Sequence, residues 1–242
     1  MTTLTSGDHV EAVRREGDAL LATAAGCLPA AVPACPGWSA ERLVGHVGRT
    51  WRWTSGWMAD GTAPEVGRPP AGAPVVDWAR DGLDDLVAAL AGVDPAAPVP
   101  TWLGRRPAAF WPRRMAMETA VHRVDAQAAA GTVAPVDLRL ALDGIEELLE
   151  VLLPSTGTGH LDRHGQSLHL HATDVDGGEG EWLVTLGPDA LAVDRVHAKG
   201  DVAVRGPASD LFLLLWNRRG LDGLEVFGDR ELLGEWQRHV RL

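Results

Sequence analysis

Apolar residues recur every three or four positions through most of the first 153 residues, which is the period of an amphipathic α-helix. The pattern predicts five helices connected as an antiparallel bundle. Their predicted ranges are 8–26, Ser39 to about Trp57, about 77–91, 112–131 and 135–153. Asp8 and Glu11 predict a capping box for the first of them, and Ser39 is a good N-cap for the second.

Two proline- and glycine-rich segments, DGTAPEVGRPPAGAP and VDPAAPVPTWLGRRP, interrupt the helical pattern and are predicted to be surface loops. After PSTGTG the pattern changes to the alternation of β-strands. Segments SLHLHATDV, EWLVTLG, LAVDRVH and DVAVRG predict an antiparallel sheet, and the rest predicts a buried helix at PASDLFLLLWNRR, a strand at LEVFG and a closing helix at RELLGEWQRHV. The predicted fold class is α followed by α+β, with a helical domain at residues 1–155 and a small α+β domain at residues 156–242.

Composition narrows the range of partners. A net charge of −11 and a pI near 5.2 argue against nucleic acids and anionic membranes, which bind basic surfaces. No apolar run is long enough for a membrane helix, and the first residues lack the basic and then apolar layout of a secretory signal. We therefore expect a cytoplasmic protein with a small-molecule or protein partner, and the oligomeric state is open.

The two cysteines, Cys27 and Cys35, are too few for a disulfide framework, and their spacing matches no common zinc module. We expect both to be reduced thiols with a packing role.

The helix predicted at PRRMAMETAVHRVDAQAAAG carries a line of ionisable residues beside its apolar stripe. Glu118 and His122 are four residues apart, so one helix face could present both to a metal ion. His46 on the second helix could add a third ligand, and two histidines with one carboxylate are typical of an open, catalytic divalent site. Asp125 could orient a ligand imidazole, although Arg123 or a backbone group is an equally fair partner. A Glu-x3-His pair is also typical of a simple hydrogen-bonded pair, so spacing alone leaves both interpretations open.

Longer motifs carry a resemblance to a known family. VPACPGWSAERLVGHVG resembles the early signature of the mycothiol-dependent maleylpyruvate isomerase family, in which C-P-G-W leads into a helix with the first metal histidine. ETAVHRVDAQ resembles that family's Glu-x3-His-x2-Asp-Ala helix. HATDVDGGEGEWLVTLG, VRGPASDLFLLLWNR and VFGD resemble its C-terminal domain. The segments follow the family's order along nearly the whole chain, which is more specific than any one motif.

The resemblance implies a DinB-like four-helix bundle followed by a small α+β domain akin to sterol-carrier folds. It implies that His46, Glu118 and His122 bind a divalent metal, usually Zn²⁺, although the same ligands suit iron. The predicted fifth helix then becomes a linker or an extension of the bundle. The implied cosubstrate is mycothiol, the low-molecular-weight thiol of actinobacteria, which a metal would hold as thiolate. In the isomerase, the thiolate would add to a cis double bond, which then rotates as a single bond before the thiol leaves.

Such a substrate carries carboxylates, which arginine binds with paired hydrogen bonds. Arg218 in LLLWNR matches a motif of the family's second domain and is the candidate for this task. The alternative is an arginine that stabilises a helix C-terminus. Arg49 and Arg52 follow His46 on the second helix, but no further feature supports a substrate contact for them. An alternating polar strand face explains His169 and His171 without any ligand.

The hypothesis is therefore a metal-dependent, mycothiol-using isomerase or thiol transferase that acts on an electrophilic small molecule. The alternative is a non-catalytic metal-binding protein whose C-terminal domain binds a hydrophobic ligand or a partner. The two differ in whether thiol-dependent turnover accompanies metal binding.

Overall fold

The computed structural model describes residues 4–61, 64–156, 163–175, 179–187 and 190–240. Residues 176–178, which belong to one of the motif segments, lie outside this part of the chain. Two compact units are present, one at Leu4–Ala134 and one that begins at Pro135. The first is helical and the second contains a sheet, which confirms the predicted fold class.

The described part of the N-terminal unit contains four helices: α1 (Ser6–Ala25), α2 (Ala40–Asp60), α3 (Val75–Ala91) and α4 (Phe110–Ala129). Helices α1 and α2 each pack against both α3 and α4. Their apolar stripes meet in a core that fully buries large side chains, including Leu20, Leu43, Trp51, Leu83 and Trp111. Burying a side chain of this size contributes roughly 1.5–3 kcal/mol, so packing of the stripes holds the bundle together.

The capping box of α1 lies one turn earlier than predicted. The Thr5 hydroxyl accepts from the Asp8 backbone N–H at 3.1 Å, and the Asp8 carboxylate accepts from the Thr5 N–H at 2.7 Å. The prediction that Asp8 begins the helix is therefore wrong, because Asp8 supplies the last residue of the box, at position N3, instead of the first. Ser39 caps α2 as predicted, since its side chain accepts from the Arg42 N–H.

Part of the second predicted loop is a β-hairpin, formed by β1 (Pro98–Thr101) and β2 (Gly104–Pro107). Gly104 follows the two-residue turn with a φ of 85°, a conformation that glycine adopts without strain. The indole of Trp111 donates to the Pro100 carbonyl at 3.2 Å and joins the hairpin to α4. Proline-rich composition concealed this hairpin, although prolines are compatible with edge strands.

The C-terminal unit opens with α5 (Leu138–Glu147), a π-helical turn (Leu148–Leu152) and α6 (Leu153–Thr156). Helix α5 packs against α7 (Ala208–Leu215), and the Val136 N–H donates to the Ser209 hydroxyl at 2.9 Å. The predicted fifth helix therefore lies in the second compact unit. The compact units divide at Pro135. The domain boundary after residue 155 stays a prediction.

The strands of this unit are β3 (Ser167–Ala172), β4 (Glu181–Leu186), β5 (Leu191–Asp194), β6 (Val202–Gly206) and β7 (Glu225–Gly228), followed by α8 (Arg230–His239). Within the described residues they form one five-stranded sheet in the order β5-β4-β3-β6-β7. The prediction of a purely antiparallel sheet is wrong for one pair, because β3 and β6 are parallel. After β5 the chain crosses to the other side of β3, where it forms β6. Helix α7 packs on β3 and β6.

In the part of the chain that the structure describes, no helix combines the length and the apolar character required to cross a membrane.

Candidate metal centre

Three predicted ligands come together between α2 and α4. The Nε2 atom of His122 lies 3.2 Å from Glu118 Oε1, and the Nε2 atom of His46 lies 3.6 Å from the same oxygen. One ligand atom from each of the three residues lies within 4.8 Å of the other two. The imidazoles of His46 and His122 are nearly perpendicular, with ring centroids 5.0 Å apart. The three side chains therefore face a common point.

The packing of α4 explains this convergence. Met117, Val121 and Val124 are buried as the apolar stripe predicted, which turns Glu118 and His122 toward α2. One turn of helix separates these two residues, so they stack on one face. The register between the helices is held by the buried Trp51 indole, which donates to the Thr119 hydroxyl at 3.2 Å.

Asp125 holds His122 from the side away from the other ligands. Its Oδ2 atom lies 2.8 Å from His122 Nδ1, and only 1% of Asp125 is exposed. A proton on Nδ1 leaves Nε2 with its lone pair toward Glu118 and His46, which is the tautomer that a metal requires. The Arg123 guanidinium donates to Glu16 at 2.8 Å and to the Ala134 carbonyl.

Two neighbours of the cluster were missed by sequence reasoning. Arg114 donates to Glu118 Oε2 at 3.4 Å, one helical turn before it, and the helical spacing of four residues could have indicated this contact. The Cys35 sulfur lies 3.9 Å from Asp125 Oδ2. Nothing in the local sequence indicates this second contact, because 90 positions separate the two residues.

The cluster changes the protonation of its own members. Burial alone raises the pKa of Glu118, but hydrogen bonds and charge from His122, with His46 and Arg114, outweigh burial and hold that pKa well below its ordinary value. Burial lowers the pKa of His122, whereas its bonds to Asp125 and Glu118 raise the pKa to about 9. Without a metal, His122 is therefore a cation at neutral pH beside an ionised Glu118. A bound metal has to replace the proton of His122.

The donor set fits a divalent ion. Nitrogen and oxygen ligands about 2.0–2.2 Å from a tetrahedral ion lie about 3.3 Å apart, close to the 3.2 and 3.6 Å separations here. Two imidazoles and one carboxylate leave a position of the ion open to water or a thiol. Zinc and iron both accept this ligand set.

His46 also lines a cleft of about 720 Å³ in the N-terminal unit. Trp38 forms part of its wall, with its ring 5.1 Å from the His46 ring. The charged side chains that line the cleft are Arg42, Arg49, Arg68 and Glu41. The excess of arginine gives the cleft a positive character that suits an anionic ligand.

The two arginines that follow His46 on α2 have different roles. Arg49 is exposed and lines the cleft. The Arg52 guanidinium instead lies 4.0 Å from the ring centroid of Trp78 and donates to the Trp78 carbonyl at 2.6 Å, which joins α2 to α3. Arg49 is therefore the better candidate for ligand contact.

Arg218 follows α7 in the C-terminal unit, and its guanidinium donates to the Trp216 carbonyl at 2.8 Å. This contact is the helix-end interaction that the alternative interpretation describes. The assignment of Arg218 to substrate carboxylates stays a prediction.

The fold and the cluster define a two-unit protein with a candidate divalent metal centre in a helical bundle. The family model of the mycothiol maleylpyruvate isomerase N-terminal domain matches residues 10–127, and the C-terminal domain model of the same family matches residues 139–235. The chain belongs to the mycothiol-dependent maleylpyruvate isomerase family, which confirms the resemblance found in the sequence.

Solved structures agree with this assignment. A crystal structure of a mycothiol-dependent maleylpyruvate isomerase matches with a TM-score of 0.64 and 16% identity, and covers 93% of this chain and 95% of that one. A histidine-to-alanine variant of such an isomerase matches with a TM-score of 0.63, at the same identity and coverage. At this identity the likeness establishes the fold. No curated protein matches the chain.

Proposed function

We propose that this protein is a metal-dependent, mycothiol-using cytoplasmic enzyme of the maleylpyruvate isomerase type. The proposed reaction is cis–trans isomerisation of an electrophilic, carboxylate-bearing small molecule. One observation carries the proposal: His46 converges with Glu118 and His122 and also lines a cleft whose wall contains three arginines.

His46, Glu118 and His122 are the proposed ligands of the ion, which we expect to be zinc. When bound, the ion would keep a coordinated thiol in its nucleophilic thiolate form at neutral pH. Asp125 would keep Nε2 of His122 available to the ion by holding the Nδ1 proton. The role of Asp125 is thus to position a ligand.

The arginines of the cleft are proposed to bind the substrate's carboxylates. Arg42, Arg49 and Arg68 offer planar groups that match a carboxylate with two hydrogen bonds each. Fixing the carboxylates would hold the double bond in place beside the thiol, which raises the rate by orientation. Arg218 of the C-terminal unit remains a proposed further carboxylate ligand.

The experiment that tests the proposal is a thiol-dependent assay of the full-length protein after metal removal and reconstitution with Zn²⁺. Maleylpyruvate is supplied with and without mycothiol, and NMR follows the cis and trans isomers and any stable thiol conjugate. We expect trans product only when both zinc and mycothiol are present. A stable conjugate instead of the trans isomer would assign the protein to thiol transfer.

The matched pair of variants for this assay is Glu118→Ala and Glu11→Ala, because Glu11 is an exposed carboxylate on α1. Turnover and metal content should be lost together in the first and kept in the second. Stoichiometric zinc without thiol-dependent turnover on any maleyl-type substrate would favour the non-catalytic alternative. Turnover in a metal-free Glu118→Ala protein would contradict the proposal.

A further inference from the structure

A second group of histidines surrounds one carboxylate in the C-terminal unit. His171 on β3 lies directly opposite Glu181 on β4, and His169 lies two residues earlier on the same face of β3. His197, in the segment after β5, contacts the same carboxylate. The alternation that explained His169 and His171 does not reveal this group, because Glu181 and His197 come from separate segments.

The contacts within this group are short. His169 Nε2 lies 2.5 Å from Glu181 Oε2, and His197 Nδ1 lies 2.9 Å from Glu181 Oε1. Ligand atoms of His169, Glu181 and His197 all lie within 4.8 Å of one another. The three rings are also close, with the His197 centroid 5.2 Å from that of His169 and 5.8 Å from that of His171.

Burial separates this group from an ordinary polar strand face. His169 is 5% exposed and Glu181 is 7% exposed, and a buried carboxylate requires partners that compensate its lost hydration. The Nδ1 atom of His171 is buried and lies 2.5 Å from Glu181 Oε1, yet it makes no hydrogen bond to any described residue. Imidazole nitrogens of three different residues thus lie around this one buried carboxylate.

We infer that His169, Glu181 and His197 form a second binding site for a first-row divalent ion such as Zn²⁺. Imidazole and carboxylate groups are the ligands that such ions accept. An ion bound by these three residues would join β3, β4 and the segment after β5. The side chain of His197 is 75% exposed, which gives the ion a path from solvent. This inference does not depend on the proposed function.

Metal titration of the full-length protein in a His122→Ala background tests the inference, because that background lacks a proposed ligand of the bundle. After removal of metal, Zn²⁺ is titrated by calorimetry, and Co²⁺ by its visible absorption. We expect one equivalent to bind. Adding His197→Ala should weaken binding by at least about 100-fold, because loss of an outer partner of a ligand alone costs roughly 10- to 100-fold.

The control is His164→Ala in the same background, since His164 is an exposed histidine of the same unit whose Nδ1 contacts the Gly187 carbonyl. Its substitution should leave the titration unchanged. No binding in the His122→Ala background, or equal weakening by His164→Ala and His197→Ala, would overturn the inference. Binding in wild type that is lost with His197→Ala and kept with His122→Ala would support the sheet site while contradicting the bundle site.

Discussion

The bundle and the sheet each bring two histidines and one glutamate together, yet the surroundings of the two groups differ. In the bundle, one of the three ligands, His46, also lines a cleft that contains arginines. In the sheet, Glu181 has a third imidazole next to it, that of His171. The same donor types thus have a cleft near one of them in the first case and a further imidazole beside the carboxylate in the second. The residues around the ligands, more than the ligands themselves, determine what a bound ion could do.

Support for the ligands also differs. In the bundle, a second carboxylate, that of Asp125, holds His122 by its outer nitrogen. In the sheet, the hydrogen bonds of His169 and His197 both go to Glu181 itself. His122 is therefore oriented before any ion binds, whereas the sheet histidines contact their fellow ligand Glu181 directly.

The largest effect is expected for His122→Ala. Loss of one of three ligands should remove the metal of the bundle and reduce turnover to the rate without thiol, because the nucleophile is no longer activated. Metal analysis and the isomerase assay measure both quantities, with His164→Ala as the control. Unchanged turnover in His122→Ala would contradict a catalytic role for the bundle cluster.

For the sheet, zinc should raise the melting temperature of the His122→Ala protein, and His197→Ala should abolish this rise. Zinc at 100 times its Kd stabilises the folded state by about 2.7 kcal/mol, which corresponds to roughly 5–10 °C for a chain of this size. Thermal denaturation with and without zinc measures the difference. A rise of equal size in both proteins would mean that zinc acts elsewhere.

Asp125→Asn tests the orienting carboxylate of the bundle. The amide keeps the shape but loses the charge that favours a proton on His122 Nδ1, so metal affinity should fall by about 10- to 100-fold. Competition with a chromophoric chelator measures this affinity. The matched control is Asp85→Asn, which neutralises an exposed carboxylate on α3. An unaltered affinity in Asp125→Asn would reduce Asp125 to a packing residue.

Arg49→Ala tests whether the cleft distinguishes the bundle site as a substrate site. An exposed arginine that binds a carboxylate should contribute at the lower end of the range for charged hydrogen bonds, so KM should rise by about tenfold with kcat changed less. Steady-state kinetics measure the split. Arg106→Ala, an exposed arginine of the hairpin, is the control. An equal KM in both variants would remove Arg49 from the proposed substrate contacts.

The last prediction concerns the pH dependence of the metal-free bundle. The pKa of His122 is raised from 6.5 to about 9 in the folded protein. Its contribution to stability is therefore fully present below pH 6.5 and is lost as the pH rises through 9. The melting temperatures of metal-free wild type and His122→Ala should converge over this window. A difference that stays constant from pH 6 to 9.5 would show that the contribution of His122 comes from packing.

Much of the bundle site could be predicted from the sequence. Glu118 and His122 share a helix face because local periodicity alone places residues four apart on one side, and the apolar stripe indicates which side is buried. His46 required the longer motif resemblance, since its distance from α4 depends on how two helices pack. Spacing places Asp125 near His122 on the helix. It does not decide whether Asp125 contacts His122, Arg123 or a backbone group.

The sheet was harder to predict. Alternation located the strands, but the parallel pairing of β3 and β6 depends on a chain crossover that local pattern does not encode. The hairpin of β1 and β2 escaped detection because proline and glycine are typical of loops as well as of short edge strands.

By itself, the sequence determined most of the helices and strands, the fold class and the helix that carries Glu118 and His122, because these depend on period and on motifs read along one chain. Only the tertiary structure decided that Arg49 lines the cleft while Arg52 stacks on Trp78, and that His197 meets Glu181. The physical reason is that contacts between distant segments arise from packing, which no local spacing specifies.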